Sequence, residues 1–505
     1  MTQKASSTNP NPEMPYILAL DVGTSSTRAL LFDAKGKSLP NILSQRRYKL
    51  TISNVGEVSV DPDALLTIVE QTIDEVLEMA GPLAKHIGAV AIDTFWHGLM
   101  GVDANNRPLT PLILWEDTRP YSAAVELSKQ LDEQTIHTRT GARLHASYWP
   151  AKLRWLATQE PDTFSRVAQW LSFGEYLYRH FLDRSVCSFS MASGTGMLNT
   201  RALAWDTELM EVLDVRPEQL PPLGDLHESV QGLTSEFASA WPALDKVPWF
   251  PATGDGAAAC AGSGCASLEN WSITIGTSSA IRVVVPAERV IPSMGLWLYL
   301  IDARRAVLGG AMSEGGNLLT WLDSVLTLPS LADTDSLVAA LPPDAHGLTI
   351  LPFLTGERSP GWHANARMTI SGIQARTSPV DFLRAGMEAL AYQLAEVYEQ
   401  ICQALEVEKI KPRLIGSGGA LLGSRTLQQI IADTLGTSVY PSLDQEASAR
   451  GAALLALEAM GLLPDIAQVS AHLKPPVKPD AGKYDVYKKG AARQKQLYQE
   501  LLEGK

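Results

Sequence analysis

The tetrapeptide Gly-Thr-Ser-Ser occurs twice, at Gly23 and Gly276, and each copy stands between two runs of β-forming residues. The first copy joins YILALD (16–21) to TRALLFD (27–33), and the second joins WSITI (271–275) to AIRVVV (280–285). Short apolar runs on either side of a Gly/Ser/Thr turn read as strand, tight turn, strand. The copies lie almost half of the 505 residues apart, so the chain reads as two similarly built halves, each opening with the same hairpin. These residues are common in turns anyway, and the letters alone leave coincidence open. The matching flanks argue for a repeat.

Helix-like stretches follow the hairpins. Residues 63–79 place Leu65, Leu66, Ile68, Val69, Ile73, Val76 and Leu77 at helical spacing, and 150–155, 379–405 and 424–435 read the same way. Strands alternating with helices predict an α/β protein. Pro217, Pro221, Pro222, Pro242, Pro248 and Pro251 punctuate the middle of the chain and mark the expected domain boundary. The division is then a disordered leader at 1–15, a first unit at 16–252 and a second at 253–505.

Lys plus Arg (42) against Asp plus Glu (55) leaves a net charge of −13, which argues against nucleic acid as a partner. A small anionic ligand remains compatible, because a few backbone N–H groups bind a phosphate whatever the net charge. The four cysteines (Cys187, Cys260, Cys265, Cys402) match neither a CxxC nor a zinc spacing, and read as reduced thiols of a cytoplasmic protein. Residues 1–15 lack the apolar segment of a signal peptide, and no later run approaches the ~18 residues of a membrane span, so no membrane association is expected.

The first hairpin places Asp21 at the end of a buried strand, ahead of the backbone N–H groups from Gly23 onward and the hydroxyls of Thr24, Ser25 and Ser26. That combination suits a phosphate with its Mg²⁺, or equally an ordinary turn. TGDGAAA (253–259) sets Asp255 between two glycines before a helix-competent run. The carboxylate reads as a general base or a helix cap. Gly254, Gly256 and Ala259 match GxGxxA, but VPWFP (247–251) is a poor Rossmann strand, which argues against a dinucleotide site. GSGGA (416–420) after an apolar run lets a flat ring or phosphate lie on the backbone, or is a plain turn. The GKS at 36–38 is no Walker loop, because Leu31 stands where its first glycine belongs, and serine-hydrolase and zincin motifs are missing from the sequence. Residues 93–119 gather Trp96, His97, Asp103, Trp115, Glu116, Asp117 and Arg119, a mixture that fits a polyol. Taken singly, Asp103 fits a β-turn, Trp115 a core position and His97 a structural histidine.

Together these segments resemble the FGGY carbohydrate kinases, whose fold is that of the actin-like (ribonuclease H-like) ATPases: two α/β domains with the active site in the cleft between them. DVGTSSTR (21–28) resembles the family's first phosphate loop, TGDGAAA the segment of its catalytic aspartate, and IGTSS (275–279) its second phosphate loop. GERSPGW (356–362) and residues 416–451 resemble its later signatures, the last its adenosine site, while WHG (96–98) and WEDTR (115–119) resemble its sugar-binding segments. The resemblance implies ATP and Mg²⁺ as cofactors, Asp255 as catalytic residue and Asp21 as metal-binding residue. Phosphates would be held by Gly23, Thr24, Ser25, Ser26, Arg28, Gly276, Thr277 and Ser278, and adenosine by Gly418 and Gly419. A sugar would be held by Trp96, His97, Glu116, Asp117 and Arg119. PLTPLILWEDTR (108–119), SYWPAKLRWL (147–156) and LSFGEYL (171–177) are most similar to the bacterial gluconokinase branch, which implies D-gluconate as the acceptor. His97, Arg119, Arg143, His145 and Lys152 are the cations at hand for its carboxylate. Xylulokinases usually show Gln-Met-His-Gly where this chain has Phe95 and Trp96 before His97, so a pentulose or another polyol stays open as the alternative. An actin-like or chaperone-type ATPase is the rival of another class, a catalytically silent sugar sensor a further one, and a homodimer is compatible with all of them.

Overall fold

The computed structural model describes residues 12–328, 331–406 and 412–504. The strand Tyr16–Val22 is buried along its whole length, as a strand covered on both faces must be. It pairs antiparallel with Ser26–Phe32 across the first hairpin, and Ser26–Phe32 pairs antiparallel with Ser38–Arg47. On its other side it runs parallel to Ile87–Thr94, which runs parallel to Thr253–Gly254. The second hairpin builds the same sheet again. Asn270–Ile275 pairs antiparallel with Ser279–Pro286, which pairs antiparallel with Arg305–Met312, while Arg413–Ser417 and Val439–Pro441 follow in parallel on the other side. Trp297–Leu300 extends the antiparallel edge. The repeated strand order confirms that the two GTSS copies open two units of one design.

The expected helices form where capping chemistry allows. Asp61 accepts from the N–H groups of Asp63 and Ala64 at the head of Pro62–Ala80, and Ser424 caps Arg425–Leu435 through Leu427 N–H at 3.0 Å. Ser378 and Asp381 form a reciprocal box that starts Pro379–Ala404. The stretch at 150–155 belongs to Trp149–Gln159. Asp103 takes its expected turn, accepting from Asn106 N–H at 3.0 Å. All four cysteines are free thiols, three of them buried. Among the described residues no helix is long and apolar enough to cross a membrane.

Two expectations need correction. The proline-rich stretch is packed into the first unit: Phe250 donates to Val90 O, Pro248 O accepts from Val90 N–H, and Trp249 is fully buried. Thr253–Gly254 is itself a strand of the first sheet, so a division after residue 252 cuts that sheet. Proline punctuates loops inside a domain as readily as between domains. Of the expected disordered leader, residues 1–11 lie outside the described residues, while Glu13 O accepts from Ala34 N–H at 2.8 Å.

A helix crossing joins the halves. Ala447–Ala459, from the second half, packs on Asp255–Gly262 and reaches over the strands Tyr16–Val22 and Ile87–Thr94 of the first sheet. A Cβ on Gly262 would meet Ala447 O at 1.8 Å, and one on Gly451 would meet Ala258 O at 1.8 Å. Only bare backbone fits on either side. Arg450 closes the contact, donating to Gly262 O at 2.5 Å and to Gly36 O at 3.1 Å. Gly451→Ala should therefore destabilise the protein by about 1–3 kcal/mol, the range of an overpacked core. Denaturant unfolding should show a lower midpoint at unchanged slope, and a midpoint equal to the parent's would mean that these helices separate freely.

Candidate active site

Two cavities meet at Asp255. The larger, about 530 Å³, is lined by Asp21 and Arg28 from the first half, by Thr274, Ser417, Gly418 and Gly419 from the second, and by Asp255 and Arg282. The smaller, about 180 Å³, is lined by Trp96, His97, Trp115, Tyr148, Ser278, Trp297, Tyr299 and Arg358, and again by Asp255 and Arg282. A ligand in one cavity can thus reach a ligand in the other only past these two side chains.

In the larger cavity Asp21 is buried at the end of its strand, and Arg28 Nη1 donates to its Oδ2 at 3.0 Å. Burial raises the Asp21 carboxyl above its ordinary value, with the Arg28 guanidinium acting the other way. Arg28 also meets Glu446 at 3.4 Å. Gly418 has φ +90°, and a Cβ there would strike Ile275 O at 2.4 Å, so the GSGGA turn presses on the second hairpin where only glycine fits.

Asp255 is the first residue of its helix, and its Oδ1 accepts from Gly256 N–H at 2.7 Å. Burial lifts its carboxyl from 3.8 to about 6, against the pull of Arg282 and the Gly256 N–H and with a smaller push from Asp21. The flanking glycines have a reason that the sequence did not disclose. A Cβ on Gly254 would lie 1.9 Å from Trp96 Nε1, one on Gly256 2.5 Å from Trp96 Cζ3, and one on Gly194 2.2 Å from Trp96 Cδ1. Trp96 is seated on three glycines beside the carboxylate, and its Nε1 donates to Ser190 O at 2.9 Å.

The smaller cavity is aromatic with two cations. Trp297 and Tyr299 stack at 4.4 Å, Trp96 stands 4.9 Å from Tyr299, and the Tyr148 and Tyr299 hydroxyls share a hydrogen bond of 2.5 Å. Arg358 lies over the Trp115 ring at 4.5 Å and donates to Met312 O at 3.0 Å, while its Nε is buried without a partner. Burial draws the guanidinium below its ordinary value. Arg282 likewise has a buried, unpartnered Nε. His97, with φ +70°, is held by Gly194 O through Nδ1, and burial lowers the ring to about 3, so it is neutral.

Asp21, Arg28, Asp255, Gly418 and Gly419 therefore line the first cavity, and Trp96, His97, Ser278 and Asp255 the second. Gly23, Thr24, Ser25, Ser26, Gly276 and Thr277 line neither. The hairpin tips are half-buried or exposed, with Gly23 N–H given to Ser26 O and Gly276 N–H to Ser278 O. Asp117 and Arg119 do not reach the sugar-sized cavity. They pair with each other at 2.6 Å, Asp117 also accepts from Val58 N–H, and Arg119 stacks on Trp155. Glu116 is exposed, and its charge bears on Arg358. Of the cations expected to meet a carboxylate, Arg143 is paired with Glu133, and Lys152 is fully buried with its Nζ given to His97 O and Ile113 O. His145 is half-buried and neutral, its ring held down to about 3 by loss of solvent and by nearby arginines.

Arg282 and Arg358 escaped the sequence reading. The signal for Arg282 was a lone charge in the apolar strand AIRVVV, and for Arg358 its place in GERSPGW, a segment noted without assigning its arginine.

Comparison with known proteins agrees with this geometry. Residues 16–262 match the N-terminal domain, and residues 271–460 the C-terminal domain, of the FGGY family of carbohydrate kinases. The chain belongs to that family. It is 24% identical to a gluconokinase of Bacillus subtilis (strain 168), over 90% of each chain, and 31% identical to a glycerol kinase of Aromatoleum aromaticum, over 91% of this chain and 93% of that one. A solved xylulose kinase from Lactobacillus acidophilus superimposes with a TM-score of 0.87 at 25% identity, covering 96% of this chain and 98% of the other.

The raised Asp255 carboxyl has a consequence for stability. The folded protein holds a proton there between 3.8 and about 6 that the unfolded chain has released, so this site makes stability fall as pH rises through that window. Asp255→Asn should melt higher than the parent at neutral pH, and the gain should shrink toward zero as pH approaches 4. Thermal melts across pH check this, and a gain independent of pH would remove the buried charge as its cause.

Proposed function

We propose that the protein phosphorylates the terminal hydroxyl of a small sugar acid, D-gluconate, at the expense of ATP. One observation carries the reading: Asp255 and Arg282 form the wall shared by a larger, polar cavity and a smaller, aromatic cavity that holds two arginines. ATP fits the larger one, with phosphates between Asp21, Arg28 and Ser417–Gly419 and the adenosine toward Gly418 and Gly419. The acceptor fits the smaller one, its C–H faces on Trp96 and Tyr299.

Asp21 is the residue to hold Mg²⁺, since it is a buried oxygen donor at the wall of the larger cavity, paired with Arg28. When bound, the cation neutralises phosphate charge. Asp255, at the joint of the cavities, accepts the proton of the attacking hydroxyl, and a carboxyl near 6 takes up a proton more readily than one at 3.8 while remaining ionised at pH 7. Arg282 faces the same point and bears on the charge of the phosphoryl group in transit. Catalysis rests mainly on position, because two separate cavities bring the reactants to one wall.

Gluconate is favoured over a neutral polyol by Arg358, which lines only the smaller cavity. Its buried guanidinium Nε has no partner, and an arginine fork pairs with a carboxylate through two hydrogen bonds. A neutral sugar leaves that donor unanswered. Xylulose or glycerol remains the second reading, because relatives with those names match this chain as well.

Purified protein with ATP, Mg²⁺ and equal concentrations of gluconate, xylulose, ribulose, glycerol and several sugar alcohols should give the highest kcat/KM with gluconate. A neutral polyol in first place would overturn the assignment. Arg358→Met should lower kcat/KM for gluconate more than for any neutral sugar turned over.

Asp255→Asn should keep ATP binding and lower turnover by roughly 10² or more, the usual share of a general base. The parent's kcat/KM should fall as pH drops below about 6, where Asp255 takes up its proton. A flat profile between pH 5 and 8 would remove Asp255 as the base.

A further inference from the structure

The mechanism above leaves one buried acid unused. Asp93, in the strand Ile87–Thr94, is 0% exposed, and its carboxyl meets no partner other than the Asp21 carboxyl. It pairs in register with Asp21 on one side and with Thr253 on the other. Side chains at matched register positions of neighbouring strands emerge on the same face of a sheet. Asp93 therefore stands beside Asp21 at the C-terminal ends of parallel strands, on the side from which the chain runs on to Asp255. The charges of both acids bear on it.

A carboxylate kept from water without a donor is costly. Burial and the charges of Asp21 and Asp255 hold the Asp93 carboxyl well above its ordinary value, and its side chain lies in hydrogen-bond contact with Asp21. Arg28, the nearest guanidinium in the cluster, is given to Asp21 and Glu446. A strand position that only packs is better filled by Val, Thr or Ser, so an acid held there against its surroundings points to a cation. Asp21 and Asp93, at matched positions of neighbouring strands, offer the oxygen donors that a hard divalent ion takes.

We propose that Asp93 is a further carboxylate of the divalent-metal site, acting from behind Asp21 on a cation bound there directly or through water. The proposal rests on the assignment of Mg²⁺ to Asp21. It adds that the protein itself, and not the nucleotide phosphates alone, contributes most of the negative charge that retains the ion. The cation answers the buried carboxylate, and the carboxylate in turn fixes the orientation of Asp21 toward it.

The test uses the full-length protein and Mn²⁺ as the probe, followed by electron paramagnetic resonance and calorimetry, without sugar and without turnover. Binding is measured alone and with a non-hydrolysable ATP analogue, for the parent, Asp93→Asn and Asp93→Thr. Both variants should bind Mn²⁺ about 10- to 100-fold more weakly, the usual effect of removing an outer partner of a metal site. Affinity for the analogue in EDTA should be unchanged. In EDTA both variants should melt at or above the parent's temperature, because the buried pair of acids is gone. Parent-like Mn²⁺ affinity in either folded variant would overturn the proposal, as would melting well below the parent in EDTA, which would make Asp93 a structural residue. A parent that binds no Mn²⁺ would refute the metal assignment at Asp21 itself, and the choice of sugar enters none of these readings.

Discussion

The contact between Asp255–Gly262 and Ala447–Ala459 carries more than its length suggests. It is the place where the second half lays a helix over the first sheet, and the helix it touches begins with Asp255. With Gly262 and Gly451 allowing backbone to meet backbone, the position of Asp255 depends on a fit that leaves no room for a methyl group. Packed cores resist small displacements, and a cavity wall shared by two reactants needs that stiffness. Arg450 adds a polar tie from the same helix to Gly36 and Gly262, so the joint is held at both backbone and side-chain level.

The second constraint is electrostatic. Strands buried on both faces end in Asp21 and Asp93, and the helix that follows the neighbouring strand starts with Asp255. Burial raises all three carboxyls, and they stand close enough to act on one another. Arg28 and Arg282 offset part of this. Such an arrangement lowers the stability of the resting protein, and it keeps carboxyls that hold protons more readily than usual at the junction of the two cavities. Folding tolerates it because the surrounding sheets over-determine the strand ends.

The architecture was legible in the sequence because it is periodic and repeated. Two hairpins with apolar flanks announced two sheets of one design, and apolar residues at helical spacing announced the helices over 63–79, 379–405 and 424–435. Asp255 could be singled out because glycines on both sides of an acid are unusual before a helix. What stayed hidden was whatever depends on contacts far apart in the chain. The glycines around Asp255 make room for Trp96, a fact fixed by a residue about 160 positions away. Asp117 and Arg119 looked like ligands, yet satisfy each other. Local clustering cannot tell a pair facing a cavity from a pair facing itself. The proline-rich segment misled for a similar reason, since its packing on Val90 is a tertiary event.

Trp96 joins these threads. Its ring fills the space that three glycines leave, so the first half's Phe95-Trp96-His97 segment shapes the acceptor cavity while it also braces the turn that aims Asp255. Specificity and catalysis are then coupled through one side chain: a substitution that changed the floor of the cavity would also free the backbone beside Asp255. His97, neutral and tied to Gly194, and Lys152, buried on His97 O, hold that segment from the other side. Charge in the smaller cavity therefore comes from elsewhere: Arg282 and Arg358, carried by a strand and a loop of the second half, face the aromatic floor of the first. A ligand in that cavity touches both halves at once. On the reading proposed above, a carboxylate answering Arg358 would tie the second half to that floor, which a neutral polyol would not.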